Sequence, residues 1–147
     1  MTSLLDRPIL EEDWLTEAGE RNGTSTAPAR LHGSNGEQQA VPDAGPWEPA
    51  VQKMVAFQHF GDDWDGQGAQ APSYEMLASA IGLAYTLYQQ GVDPPSCVVP
   101  GIDGSVTFEW HDPDGTYTEV EIVRPFYAEV MMIEPGKPAR HWTLPTE

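Results

Sequence analysis

Cysteine is almost absent from this 147-residue sequence, in which Cys97 stands alone. A single cysteine excludes an intrachain disulfide and any metal cluster held by several thiolates. Cys97 begins a short apolar run and has no basic residue near it in the sequence to lower its pKa. We therefore expect a buried structural thiol rather than a reactive one.

Basic side chains are scarce as well. Lysine and arginine number 7 against 23 aspartates and glutamates, which gives a formal net charge of -16. Such a chain repels nucleic-acid phosphates and anionic lipid headgroups, so we expect no direct nucleic-acid binding and no membrane binding. A protein with a basic surface is the partner that this charge favours. The alternative is that the charge only keeps the protein soluble.

Long apolar runs are also missing. No stretch approaches the roughly 20 apolar residues that span a bilayer. The first residues, 1–7, lack the basic and apolar regions of a secretory signal. These features predict a cytoplasmic protein.

Large apolar side chains are nearly absent from residues 16–45, and glycine and proline contribute 14 residues each to the whole chain. Such a segment buries too little surface to offset its ordering entropy. We predict a flexible acidic tail over residues 1–45, followed by a single domain over residues 46–147. Within the tail, residues 3–15 form a possible amphipathic segment. It would dock on a partner, or on the protein's own domain, through Leu10, Trp14 and Leu15.

The rest of the sequence predicts two helices followed by strands. Apolar residues recur at helical spacing after Pro46 and again after Ser73, a favourable N-cap, with Gly61 and Gly91 as stop signals. The period then changes to two, with tight turns between the apolar segments. The predicted fold class is α+β, with two helices packed on one face of a three- to five-stranded antiparallel meander. Tyr117 is out of phase with its strand, so either a bulge intervenes or its side chain points outward.

The loop between the predicted helices carries three carboxylates, two glycines and a tryptophan: Asp62, Asp63, Trp64, Asp65, Gly66 and Gly68. A calcium loop aligned on Gly66 would need a glutamate where Pro72 stands, so that spacing fails. We predict a structural loop with carboxylates bound to backbone N–H groups, glycines at positive φ and Trp64 closing the edge of the core. The alternative is a loose metal site in a small metal-dependent hydrolase.

Glu109, Glu119 and Glu121 fall on adjoining strands and can form a carboxylate row on one sheet face. Such a row serves as a general acid and base in some enzymes, but it is also typical of a solvated sheet face. No histidine pair has metal-binding spacing. We therefore predict no catalytic residue, metal or cofactor, and we favour a non-enzymatic role in which these glutamates contact a partner.

The segment WDGQGAQAPS, the helix after it and the segment PPSCVVPGIDGSVTFEW together resemble small bacterial proteins that carry a WDGxGA loop and a PxxxPxxDGxVxFEW hairpin. The resemblance covers Phe60 to Ile122. It implies a single structural unit, supplies no catalytic residue and suggests an origin near mobile or defence-related genes.

These observations favour a protein-binding or regulatory module. It would be antitoxin-like or inhibitor-like, or an accessory subunit of a bacterial defence or stress system. The metal-dependent hydrolase at Asp62, Asp63 and Asp65 is one alternative. An acidic mimic of nucleic acid, which occupies the basic groove of a DNA- or RNA-binding partner, is another.

Overall fold

The structure, a computed structural model, describes Trp14 and residues 43–145. Within these residues the chain forms two helices and one five-stranded antiparallel sheet, which confirms the predicted α+β fold. The helices are α1 (Glu48–Phe57) and α2 (Tyr74–Gln89), and the strands are β1 (Cys97–Pro100), β2 (Val106–His111), β3 (Tyr117–Arg124), β4 (Tyr127–Ile133) and β5 (Arg140–Leu144).

Local signals explain where the helices begin and end. A 3-10 turn, Gly45–Trp47, leads into α1. The Ser73 hydroxyl accepts a hydrogen bond from the backbone N–H of Met76 at 3.1 Å and so caps α2. Gly91 follows α2 with a φ of 86°, which glycine adopts without strain. Neither α1 nor α2 has the length and apolar character needed to cross a bilayer.

The strands follow one another as neighbours, from β1 at one edge to β5 at the other. Their inward side chains form a row across the sheet, and both α1 and α2 pack against this face: Val98, Phe108, Val120, Val130 and Trp142. Tyr117 points to the opposite face, because its neighbour Thr118 is the buried residue. The register shift in β3 lies instead between Ile122 and Arg124.

Tryptophans dominate the core, and each buried indole finds an acceptor. Trp47 donates from Nε1 to the Val92 carbonyl at 2.8 Å, and Trp110 donates to the Asp93 carbonyl at 2.9 Å. Both rings meet Phe108 edge-on. These bonds satisfy the polar end of large apolar side chains, so the tryptophans can be buried without an unpaired donor.

Trp14 also belongs to this core, although it lies in the predicted tail. Its side chain is 0% exposed, its ring meets Phe126 edge-on at 5.8 Å, and its Nε1 donates to the Ser79 carbonyl at 2.8 Å. For Trp14 the structure therefore shows docking on the protein's own domain, the second of the two possibilities above, and not a free anchor. Leu10 and Leu15 lie outside the described residues, and the boundary at residue 45 stays a prediction.

Candidate functional site

The face of the sheet opposite the helices carries the three glutamates that the sequence singled out, together with Cys97. Two rows cross it from β1 to β5. The first row consists of Cys97, Glu109, Glu119, Met131 and His141, and the second of Val99, Thr107, Glu121, Glu129 and Thr143. The structure thus brings Glu109, Glu119 and Glu121 onto one surface, as the alternation predicts, and adds Glu129. We call this surface the open face.

Like charges oppose each other on the open face. Glu109 is the cross-strand partner of Glu119, and Glu121 is the partner of Glu129. Within residues 43–145, the ion pairs of lysine and arginine side chains go to Glu134 and leave these four glutamates without one. The Arg124 guanidinium lies over the Tyr127 ring, 3.8 Å from its centroid. The lysines and arginines of residues 43–145 therefore form no ion pair with these glutamates, although Lys53 is close enough to lower the pKa of the neighbouring Cys97 thiol.

A second group of polar side chains lies at the β1–β2 end of the open face. The Cys97 thiol donates to Glu109 Oε1 at 3.2 Å, and His111 Nε2 lies 3.5 Å from the same oxygen. One ligand atom from each of these residues lies within 4.8 Å of the other two. Sequence spacing missed this group because Cys97 is on another strand. The thiol and the carboxylate meet only through the pairing of β1 with β2, in which Cys97 lies opposite Glu109.

The position of Cys97 corrects the expectation of a buried thiol, since the side chain is half-buried on the open face. Burial raises the pKa of the thiol, and the hydrogen bond to Glu109 raises it further. Cys97 is therefore protonated at neutral pH in the isolated protein. This is the opposite of what an activated cysteine nucleophile requires.

Tyr117 extends the same polar group along β3. Its hydroxyl donates to Glu119 Oε1 at 2.8 Å, and its ring packs against His111 with the centroids 4.9 Å apart. Burial raises the pKa of the tyrosine hydroxyl strongly, and the adjacent Glu119 carboxylate adds to this. Tyr117 thus remains a hydrogen-bond donor to Glu119.

The loop after α1 places its three carboxylates on backbone N–H groups. Asp63 Oδ1 accepts from Gly68 N at 2.6 Å, and Asp65 Oδ1 accepts from the N–H groups of Gln67 and Ala69 at 2.8 and 3.1 Å. Asp62 Oδ1 makes a longer contact, 3.4 Å, to Ala71 N. The bonds from Gln67 and Ala69 hold the pKa of Asp65 below its usual value. These bonds match the predicted structural loop.

Backbone conformation and Trp64 complete this loop. Gly66 and Gly68 have φ values of 77° and 91°, as predicted, and Asp63 also has a positive φ of 65°. The Trp64 ring is half-buried and stacks on Phe60 with the centroids 5.1 Å apart, and its Nε1 donates to the Gln70 carbonyl at 3.2 Å. The indole therefore covers Phe60, which itself packs against the core. The arrangement accounts for every side chain of the cluster as part of the turn.

Comparison of the chain with protein-family models, with curated proteins and with solved structures found no match. The resemblance over Phe60 to Ile122 therefore stays a prediction.

Proposed function

We propose that this protein is a non-enzymatic, cytoplasmic binding module whose open face engages a basic surface of another protein. The observation that carries the proposal is the two pairs of facing glutamates on adjacent strands, Glu109 with Glu119 and Glu121 with Glu129. Like charges in directly opposed positions destabilise a sheet by about 0.2–1 kcal/mol per pair. A basic partner would relieve this repulsion in the complex.

The chemistry of the open face also favours binding over catalysis. A general acid–base pair needs carboxylates that can reach a substrate. Glu109 accepts from the Cys97 thiol, and Glu119 accepts from the Tyr117 hydroxyl, so each already has a fixed partner within the protein. Glu121 and Glu129 are left for contact with a partner, and a rigid sheet presents them without further ordering.

The charge of the whole chain supports a protein partner rather than a nucleic acid. A net charge of -16 opposes the approach of phosphates, whereas it speeds the encounter with a basic protein. Such a module would act as an antitoxin-like or inhibitor-like protein, or as an accessory subunit of a bacterial defence or stress system.

Association kinetics with a partner captured from the native host test this proposal. The association rate should fall as salt rises, because screening removes the long-range attraction. The double variant Glu121→Gln/Glu129→Gln should associate more slowly and with a flatter salt dependence. The control Glu48→Gln/Glu75→Gln removes the same charge from the first turns of α1 and α2. It should keep the wild-type dependence on salt.

Two results would contradict the proposal. One is the absence of any specific basic protein in the capture. The other is an equal loss of association rate in the open-face variant and the helix control, which would show that only the total charge matters. Competition by double-stranded DNA for the captured protein then shows whether the open face occupies a nucleic-acid groove.

A further inference from the structure

The cluster of Cys97, Glu109 and His111 combines a thiol, a carboxylate and an imidazole on one rigid surface. Cys97 and Glu109 face each other across β1 and β2, and His111 follows Glu109 by two residues on the same face of β2. The backbone N–H of His111 donates to Ser96 Oγ at 2.9 Å, and its ring packs on Tyr117. The register of β1 and β2 therefore brings the three groups together, and the largely exposed His111 ring rests against Tyr117.

Two of the three separations between these groups are close to those of a tetrahedral metal site. Zinc binds thiolate sulfur at about 2.3 Å and imidazole nitrogen or carboxylate oxygen at about 2.0–2.2 Å, which puts neighbouring ligand atoms roughly 3.3–3.6 Å apart. Here the Sγ–Oε1 distance is 3.2 Å and the Nε2–Oε1 distance is 3.5 Å. The third separation lies within 4.8 Å. Small side-chain adjustments would bring all three atoms around one ion.

We propose that Cys97, Glu109 and His111 form a zinc site with three protein ligands and a remaining position open to water. A mixed sulfur, nitrogen and oxygen set suits zinc better than the hard ions magnesium and calcium, which take oxygen ligands. On binding, the Cys97 thiol loses its proton to solvent and its sulfur takes the metal in place of the hydrogen bond to Glu109. The two proposals share Glu109, but Glu121→Gln/Glu129→Gln changes no zinc ligand, so the metal site and the partner interface can be tested separately.

Titration of the tag-free full chain with cobalt and zinc tests this site. After chelator treatment, cobalt should give the near-ultraviolet absorption of thiolate-to-cobalt charge transfer, and zinc should abolish it by displacing cobalt. Cys97→Ser should remove this absorption. His111→Ala should weaken zinc binding, measured by calorimetry, by at least about tenfold, since loss of even an outer-sphere partner of a ligand costs that much.

A matched control is His141→Ala, because His141 lies on the same open face but on β5. Zinc binding should be unchanged in this variant and in Glu121→Gln/Glu129→Gln, which separates the metal site from the partner interface. Circular dichroism checks that each variant is folded. The cobalt spectrum of the wild-type protein tests the site even if a variant does not fold. A wild-type cobalt complex without charge-transfer absorption would overturn the proposal, and so would a loss of zinc affinity in His141→Ala equal to that in His111→Ala.

Discussion

The indole of Trp14 lies between α2 and the turn from β3 to β4, where it contacts Phe126 and donates to the Ser79 carbonyl. Ser79 is itself buried, and its hydroxyl accepts from the backbone N–H of Phe126 at 2.7 Å. Phe126 has a φ of 61°, which is unfavourable for a bulky side chain. Contacts with Ser79 and Trp14 therefore hold this strained turn against the helix.

Replacement of Trp14 by alanine should destabilise the protein by about 3–5 kcal/mol, because it opens a cavity and removes the hydrogen bond from the indole to the Ser79 carbonyl. Urea unfolding of the full chain measures this loss. Trp64→Ala serves as the comparison, since the Trp64 ring is only half-buried, and it should cost less. A loss below about 1 kcal/mol for Trp14→Ala would show that the indole is not part of the core in solution.

The Asp65 carboxylate makes a pH-dependent contribution to the stability of the folded protein. Its pKa is lower in the folded protein than the usual value of 3.8, because backbone N–H groups of Gln67 and Ala69 bind the carboxylate. A lowered folded pKa favours the folded state when the group is ionised. The stabilisation is therefore fully present at a pH above the usual pKa of an aspartate. It is lost as the pH falls through the lower pKa that Asp65 has in the folded protein.

The variant Asp65→Asn isolates this charge, because the amide oxygen can still accept one hydrogen bond. It should be less stable than the wild type near neutral pH, and the difference should shrink as the pH falls below 3.8. Urea unfolding across this range measures both chains. Glu129→Gln, which neutralises a carboxylate of the open face, should not reproduce this profile. A difference between Asp65→Asn and wild type that is constant with pH would contradict the assigned cause.

At the scale of elements, the β3–β4 pair holds Glu121 opposite Glu129. Replacement of Glu129 by threonine removes the repulsion and introduces a residue that favours strands, so it should raise the free energy of unfolding by about 0.2–1 kcal/mol. The gain should shrink in high salt. Glu75→Gln in the first turn of α2 should have the opposite sign, because the helix dipole favours a negative charge there. Lower stability of Glu129→Thr in low salt would show that the pair is not repulsive.

The elements with strong local signals could be predicted from the sequence, and the polar cluster could not. The cap at Ser73 and the glycine at Gly91 place α2 almost to the residue, and alternation places β2 and β3. The contact between Cys97 and Glu109 depends on the pairing of β1 with β2, which local sequence does not determine. The burial of Trp14 depends on a contact 65 residues away along the chain. The hydrophobic periodicity of the sequence does not predict a contact between residues so far apart.

At the scale of the whole molecule, the repulsion between acidic groups and the packing of the core have opposite effects on stability. The net charge of -16 is not confined to the N-terminal part, because residues 46–147 alone carry 15 acidic and 4 basic side chains. Mutual repulsion among these groups opposes the compact state. The indoles buried among the helices and the sheet supply apolar contact area that offsets this repulsion. The protein keeps its fold while leaving the open face strongly negative.

Salt should therefore stabilise the isolated protein. The screening length falls from about 30 Å at 0.01 M to about 10 Å at 0.1 M, so most of the long-range repulsion is removed within that range. We expect the melting temperature to rise between these concentrations and then level off, as measured by circular dichroism with chelator present to exclude bound metal. Sodium and potassium chloride should act equally if screening is the cause. Glu121→Gln/Glu129→Gln should show a smaller rise, because two of the repelling charges are gone. A melting temperature that is independent of salt would show that the acidic groups are too far apart to repel, and the charge would then act on the approach of partners alone.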